Sequence, residues 1–138
     1  ILGFAFKANT NDTRESSAIE ICKDLLEEGA NLIIYDPKVG RLQIAKDLGK
    51  QGEISQELDE EEVGTWTISK NLMDTFQNAD AAVILTEWNE YSKINWEEVS
   101  MLMRKPAWIF DARSIVNANL IRKTDLNFWR IGDGSEMR

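Results

Sequence analysis

The sequence predicts an α/β fold: a doubly wound parallel sheet with helices on both faces, forming one domain of three layers. Two observations predict it. Short apolar runs, typical of strands covered on both faces, alternate along the chain with segments of helical periodicity. The length of 138 residues is that of one domain with its own core, and 43% hydrophobic with 29% charged residues is typical of globular proteins.

The first apolar run, I-L-G-F-A-F at residues 1–6, predicts the central strand of this sheet. We expect residues 31–35 to flank it on one side and residues 81–86 on the other, all parallel. The run has no initiator methionine and no basic stretch before it, so it is not a signal peptide. A core strand that begins at residue 1 leads us to expect a piece of a longer protein.

The other elements follow in the order of a Rossmann-like fold. An apolar stripe from Glu15 onward predicts a helix, and Gly29 suits the left-handed position that ends many helices. Asp36-Pro37 predicts the turn after the second strand. The remaining predicted strands are 65–69, 107–111 and 127–131, and the remaining predicted helices are 40–49, 71–78 and 95–104. Residues 115–122 are predicted to form a short helix or a turn. The acidic segment 51–64 predicts a mobile loop, to which no function is attached.

The composition excludes several classes of function. There is no histidine and one cysteine, Cys22, so the chain holds no Ser-His-Asp or Cys-His pair and no Cys/His zinc site. We therefore predict no catalytic pair of these kinds and no metal site in it. The net charge of −8 argues against nucleic acid or a membrane surface as partner, and no apolar run is long enough to span a bilayer. A single cysteine fits a reducing compartment, so we expect a cytoplasmic protein.

Three cations follow the predicted strands, at the carboxyl edge where doubly wound sheets bind ligands. Lys7 and Arg14 lie in the loop after the first strand, and Arg113 follows strand 107–111. The first helix begins beside them and adds free N–H groups and a positive dipole end. This grouping predicts a site for a phosphate or diphosphate. In the alternative, Lys7 and Arg14 are exposed loop charges and Arg113 pairs with Asp111 or Asp12.

Other candidate residues have simpler interpretations. Asp36 ends the second strand, where a dinucleotide-binding domain keeps the acid for a ribose, but the glycine-rich loop is absent and a turn-starting role is favoured. Glu87 and Trp88 follow strand 81–86 and could line a pocket or pack the loop. Cys22 lies in the apolar stripe of a helix, which favours a buried, inert thiol over a nucleophile.

Five motifs occur in a characteristic order: G-F-A-F-K at 3–7, D-T-R-E-S-S at 12–17, Y-D-P-K-V at 35–39, T-E-W at 86–88 and K-P-A-W-I-F-D-A-R at 105–113. On these motifs the chain, from residue 1 to about 131, resembles the C-terminal, UDP-binding domain of the UDP-glucose/GDP-mannose dehydrogenase family. Phe4 and the D-T-R-E-S-S form are closer to the UDP-glucose 6-dehydrogenase branch. Ala112 stands where the family often has glycine, and A-N-T-N at 8–11 where K-D-T-G is common.

The resemblance implies a function for the whole enzyme: the NAD-dependent, two-step oxidation of UDP-glucose to UDP-glucuronate. It implies that Phe6 and Lys7 contact the UDP-sugar and that Arg113 binds it across a subunit or domain cleft. Arg14 would reach the NAD, which is bound mainly by an N-terminal NAD-binding domain of the same chain. That domain would also hold the catalytic cysteine and its helpers, so we expect residues 1–138 alone to be inactive. The intact protein is expected to be a homo-oligomer.

Two alternatives stay open. The chain could belong to a dehydrogenase for another nucleotide sugar, such as UDP-N-acetylmannosamine or GDP-mannose. It could also be a non-enzymatic, flavodoxin-like interaction domain, although a receiver-type domain needs acidic residues at the strand ends where this chain has Lys7 and Arg113.

Overall fold

The computed structural model describes residues 1–49 and 64–132, so the predicted acidic loop at 51–64 lies, apart from its last residue, outside the described residues. The strands are β1 (Asn31–Ile34), β2 (Thr65–Ile68), β3 (Ala81–Ile84), β4 (Trp108–Asp111) and β5 (Asn127–Arg130). The helices are α1 (Ser17–Glu27), α2 (Arg41–Leu48), α3 (Trp96–Leu102) and α4 (Ala118–Arg122), with 3₁₀ turns at Met73–Phe76 and Asn89–Lys93.

The strands form parallel ladders on both sides of residues 1–3. β1 pairs with β2, and β3, β4 and β5 pair in that order. Leu2 joins the two groups through parallel bridges to Tyr35 and Ile84, and its carbonyl accepts a hydrogen bond from Leu85 N at 2.9 Å. The strand order is therefore β2-β1-(1–3)-β3-β4-β5, which confirms the predicted central, parallel position of the first run.

That run is shorter than predicted, because the chain leaves the sheet at Gly3. Gly3 has a φ of +95°, which L side chains rarely adopt. Beyond it, the backbone N–H groups of Phe4 and Ala5 donate to the Asp36 carboxylate instead of to a neighbouring strand. The apolar residues 4–6 thus form a turn and not the second half of a strand.

The segment predicted as a helix at 71–78 forms only the 3₁₀ turn Met73–Phe76. Asn71 Oδ1 accepts from Met73 N at 2.9 Å, which starts the turn. Asn78 ends the segment with a φ of +57°, and its N–H donates to Leu102 O. A polar residue at each end therefore limits the segment to one turn.

The helices cover opposite faces of the sheet. α1 contacts α2 and β1, whereas α3 contacts α4, and α4 contacts β5. Leu32 and Ile34 are buried in β1, while Ile84 and Ile109 are buried in β3 and β4. Because Leu2 pairs with both Tyr35 and Ile84, the buried β1 residues point to the face opposite Ile84. The predicted doubly wound fold is confirmed.

This winding leaves part of one face uncovered by the described residues. On β4 and β5, three of the side chains that alternate with the buried ones are aromatic and only partly buried: Trp108, Phe110 and Trp129. Trp108 and Phe110 stack with ring centroids 5.6 Å apart, and Phe110 lies 6.3 Å from Trp129. We call these three side chains the aromatic face.

Candidate functional site

The turn after the first strand, residues 4–8, presents Phe6 and Lys7, and we call it the 4–8 loop. Two buried hydroxyls brace its carbonyl groups. Ser16 Oγ, at the N-cap of α1, donates to Phe4 O at 2.8 Å, and Thr86 Oγ1, after β3, donates to Ala5 O at 2.8 Å. These bonds satisfy backbone groups that left the sheet at Gly3, so the loop has a defined shape.

Asp36 braces the same loop from the carboxyl end of β1. Its Oδ2 accepts from Phe4 N at 2.8 Å, Ala5 N at 3.0 Å and the Trp88 indole N–H at 3.1 Å. Its Oδ1 accepts from two backbone N–H groups of the turn that follows it. Five donors thus engage the carboxylate, so Asp36 has the turn-forming role that the sequence favoured and offers no oxygen to a ribose. Trp88 is buried and packs the loop.

Arg113 connects the 4–8 loop with the loop after β3. Its Nη2 donates to Phe6 O at 3.0 Å, and its Nε donates to Leu85 O at 2.9 Å. Nε also lies 3.3 Å from Glu87 Oε2, in an ion pair whose two side chains are each 36% exposed. The guanidinium therefore braces the loop and still reaches the surface.

Asp111 shapes the loop that carries Arg113. It is fully buried and accepts from the backbone N–H groups of Arg113 and Val116, each at 3.0 Å. Arg130 Nη2 lies 3.5 Å from its Oδ2. The carboxylate thus contacts the Arg113 backbone, whereas the Arg113 side chain pairs with Glu87 and not with Asp111 or Asp12.

Glu87 is the acidic partner at this edge. Its Oε1 accepts from Ala8 N at 2.9 Å, at the far end of the 4–8 loop. Burial raises the pKa of Glu87, but the Ala8 N–H and the charges of Arg113 and Lys7 outweigh it, and the pKa ends below its usual value. The carboxylate is therefore ionised at neutral pH.

Arg14 lies in a separate exposed ion pair. Its Nη2 is 2.8 Å from Asp12 Oδ2, and its side chain is 88% exposed. The hydrogen bond from Arg14 lowers the pKa of Asp12 to about 2. The Asp12 carbonyl accepts from Phe6 N at 2.8 Å, so Arg14 adjoins the 4–8 loop only through Asp12. The structure thus brings Phe6, Lys7 and Arg113 together and places Arg14 beside them.

The resulting site is an open edge where three cations, Lys7, Arg14 and Arg113, stand among the carboxylates of Asp12, Asp36 and Glu87. Phe6 is 44% exposed, Lys7 is exposed, and Arg113 and Glu87 form the floor. A cavity of about 700 Å³ lies elsewhere, near the amino ends of the strands. This arrangement can hold an anion by charge and hydrogen bonds, and it offers an aromatic ring beside it. The one carboxylate of its floor, Glu87, is engaged by Ala8 N and Arg113.

Cys22 is buried in α1, and burial raises its pKa to about 11. We expect a thiol reagent at pH 8 to label the native chain at least about 100-fold more slowly than the urea-unfolded chain, because the thiolate is the reactive form. Mass spectrometry of timed samples measures both rates. Native labelling at the rate of the unfolded chain would contradict the inert interpretation.

Within residues 1–49 and 64–132, no three potential metal-ligating side chains lie together. No helix in that part of the chain is long and apolar enough to cross a membrane. The bracing roles of Ser16, Thr86 and Asp111 were not predicted from the sequence. The available signal was that all three lie in the motifs that carry the family resemblance.

Comparisons with known proteins identify the family of the chain. The family described as "UDP-glucose/GDP-mannose dehydrogenase family, UDP binding domain" matches residues 1–118. The UDP-glucose 6-dehydrogenase of Bos taurus is 48% identical over 117 residues, which cover 85% of this chain and 23% of that protein. UDP-glucose 6-dehydrogenase 4 of Arabidopsis thaliana is 38% identical over 138 residues, covering 96% of this chain and 29% of that protein. The chain thus spans about a quarter of the length of these relatives.

Solved structures show the same fold. The native UDP-N-acetyl-mannosamine dehydrogenase from Staphylococcus aureus superimposes with a TM-score of 0.61 at 22% identity, covering 96% of this chain and 25% of that one. The corresponding enzyme from Pyrococcus horikoshii gives a TM-score of 0.56 at 23% identity, covering 96% and 25%. With the family match over residues 1–118, these findings establish that the chain belongs to the UDP-glucose/GDP-mannose dehydrogenase family, as its UDP-binding domain.

Proposed function

We propose that this chain is the nucleotide-sugar-binding domain of an NAD-dependent UDP-glucose 6-dehydrogenase that oxidises UDP-glucose to UDP-glucuronate. The observation that carries the proposal is the hydrogen bond from Arg113 Nη2 to Phe6 O, which places the guanidinium beside the loop that presents Phe6 and Lys7. The identity to named UDP-glucose 6-dehydrogenases, up to 48%, supports this branch of the family over dehydrogenases for other nucleotide sugars. The cation-lined edge argues against a receiver-type interaction domain.

Each residue at this edge has a proposed role in binding UDP-glucose. Lys7 and Arg113 place positive charge where a diphosphate would lie, and the Arg113 Nη1 donates to no residue of the described chain, so it is available to the ligand. The exposed Phe6 ring offers an apolar face to the nucleotide or sugar. Neither the charge nor the ring transforms the substrate, so this domain binds and orients it.

The residues present do not fit the main NAD cradle. A dinucleotide site needs a glycine-rich turn and a free acid at the end of the second strand. Here Gly3 is the only glycine before Gly29, and five N–H donors engage Asp36. We assign NAD mainly to an N-terminal domain of the same protein, with Arg14 as the residue of this chain that reaches it from its exposed position.

The uncovered aromatic face supports the existence of a further packed domain or subunit. Trp108, Phe110 and Trp129 would gain burial against such a partner, since apolar surface removed from water stabilises an interface. We propose that the intact enzyme is a cytoplasmic homo-oligomer in which the open edge is one side of the substrate cleft.

Residues 1–138 alone should show no dehydrogenase activity. Mixed with UDP-glucose and NAD⁺, the purified chain should give an absorbance trace at the nicotinamide band indistinguishable from a blank without protein. The reason is that the described residues supply neither a reactive nucleophile nor a dinucleotide cradle. Sustained turnover by this chain would contradict the assignment of catalysis to another domain.

The function itself is tested on the complete gene product. We expect it to reduce two NAD⁺ for each UDP-glucose and to prefer UDP-glucose over UDP-N-acetylmannosamine and GDP-mannose. Mass spectrometry identifies the acid formed. Preference for another nucleotide sugar would move the protein to a different branch of the family, and inactivity with all three would overturn the proposal.

A further inference from the structure

Glu87 serves two different loops with its two carboxylate oxygens. Oε1 accepts from Ala8 N at 2.9 Å, and Oε2 lies 3.3 Å from Arg113 Nε. Arg113 in turn donates to Phe6 O at 3.0 Å. These four residues close a ring of contacts around the exposed part of the 4–8 loop: Glu87 holds Ala8 at one end, and Arg113 holds Phe6 at the other.

An ordinary surface ion pair would not need a separate partner for each carboxylate oxygen. Partly exposed pairs contribute little to stability, and either oxygen could have faced solvent. Here each oxygen has a separate partner, and both partners belong to the segments that present Phe6, Lys7 and the guanidinium. The arrangement determines where those groups lie relative to one another, which matters more for a bound ligand than for the free energy of unfolding.

We propose that Glu87 is a positioning residue for the nucleotide-sugar site: it locks the 4–8 loop to Arg113 so that Lys7 and the guanidinium meet the ligand in one fixed geometry. This inference rests on the proposed function. Glu87 itself does not contact the diphosphate, whose charge it would repel. It acts through Arg113 and Ala8 by orienting one donor and fixing the loop that carries the other cation.

The test substitution is Glu87→Gln in the complete gene product. A carboxamide keeps one oxygen, so in either orientation one of the two contacts is lost. We expect the dissociation constant for UDP, measured by calorimetry, to rise about tenfold, since a fixed guanidinium loses less freedom on binding. Glu87→Asp, which keeps the charge but is one methylene shorter, should show an intermediate loss.

Glu90→Gln is the matched control. It makes the same change in charge three residues later, and Glu90 Oε1 accepts from Tyr35 OH at 2.7 Å rather than from a residue of the 4–8 loop. We expect its UDP affinity to stay within about twofold of wild type, as for an independent site. Equal losses in Glu87→Gln and Glu90→Gln would show a general charge effect and overturn the positioning role.

Two further readouts separate the possible failures. In residues 1–138, the ¹H–¹⁵N signal of Arg113 Nε and the amide exchange of Ala8 should both change in Glu87→Gln and stay unchanged in Glu90→Gln. Binding of UDP by the wild-type protein tests the proposed function independently of Glu87. If the wild-type protein does not bind UDP, the proposed function is overturned. Wild-type binding with an unchanged affinity in Glu87→Gln would overturn the positioning role and leave the function standing.

Discussion

Replacing Gly3 by alanine should unfold the domain or nearly so, with a loss of about 4 kcal/mol or more in the free energy of unfolding. A Cβ at position 3 would lie 2.4 Å from Thr86 Cβ and 2.7 Å from Thr86 N, closer than real Cβ atoms approach. The φ of +95° adds backbone strain for any L side chain. Urea denaturation followed by circular dichroism measures the loss.

Gly29→Ala is the control that separates the two causes. Gly29 has a similar φ of +84°, but nothing lies within 4 Å of its added Cβ. The Gly29→Ala substitution should lower the free energy of unfolding by about 1 kcal/mol, which is the effect of the left-handed backbone alone. A Gly3→Ala protein as stable as Gly29→Ala would show that Thr86 yields to the methyl group and that the close approach is not essential.

Gly3 also marks a feature that the sequence did not predict, which is the early end of the first strand. The alternation of apolar runs and helical periods was enough to predict the parallel sheet, because each strand must be apolar on its covered faces. It was not enough to find the end of the first strand, since Phe4 and Ala5 remain buried after the chain turns. Their burial comes from the turn, and a buried turn and a buried strand have the same apolar pattern.

The sequence was enough to predict which cations lie at the candidate site, but not which contacts hold them there. Lys7 and Arg113 stand directly after apolar runs, so their common edge followed from strand direction alone. The link between Arg113 and Glu87 joins loops that are distant in sequence, and nothing local to either residue indicates it. The same holds for Thr86 and Ala5, which are 81 residues apart. Tertiary contacts of this kind depend on loop geometry that no periodicity encodes.

Changing Arg113 to alanine in the complete gene product should weaken UDP-glucose binding by about 10- to 150-fold, or about 1.5–3 kcal/mol, the range of a charge-assisted hydrogen bond. The guanidinium can give Nη1 to a ligand oxygen while Nε and Nη2 stay on Leu85 O and Phe6 O. Loss of those two bonds should also lower the free energy of unfolding by roughly 1 kcal/mol for each bond. The melting temperature should therefore fall by a few degrees. Calorimetry of UDP-glucose binding and thermal unfolding measure the two effects separately.

Arg113→Lys distinguishes binding from bracing. A lysine keeps the charge, but its single ammonium cannot reach both carbonyl groups and a ligand in the fork geometry of a guanidinium. If Arg113 binds UDP-glucose through paired donors, the lysine variant should lose most of the affinity that the alanine variant loses. If Arg113 contributes to folding stability alone, both variants should melt earlier while the folded protein binds UDP-glucose as tightly as wild type, and that result would remove Arg113 from the binding site.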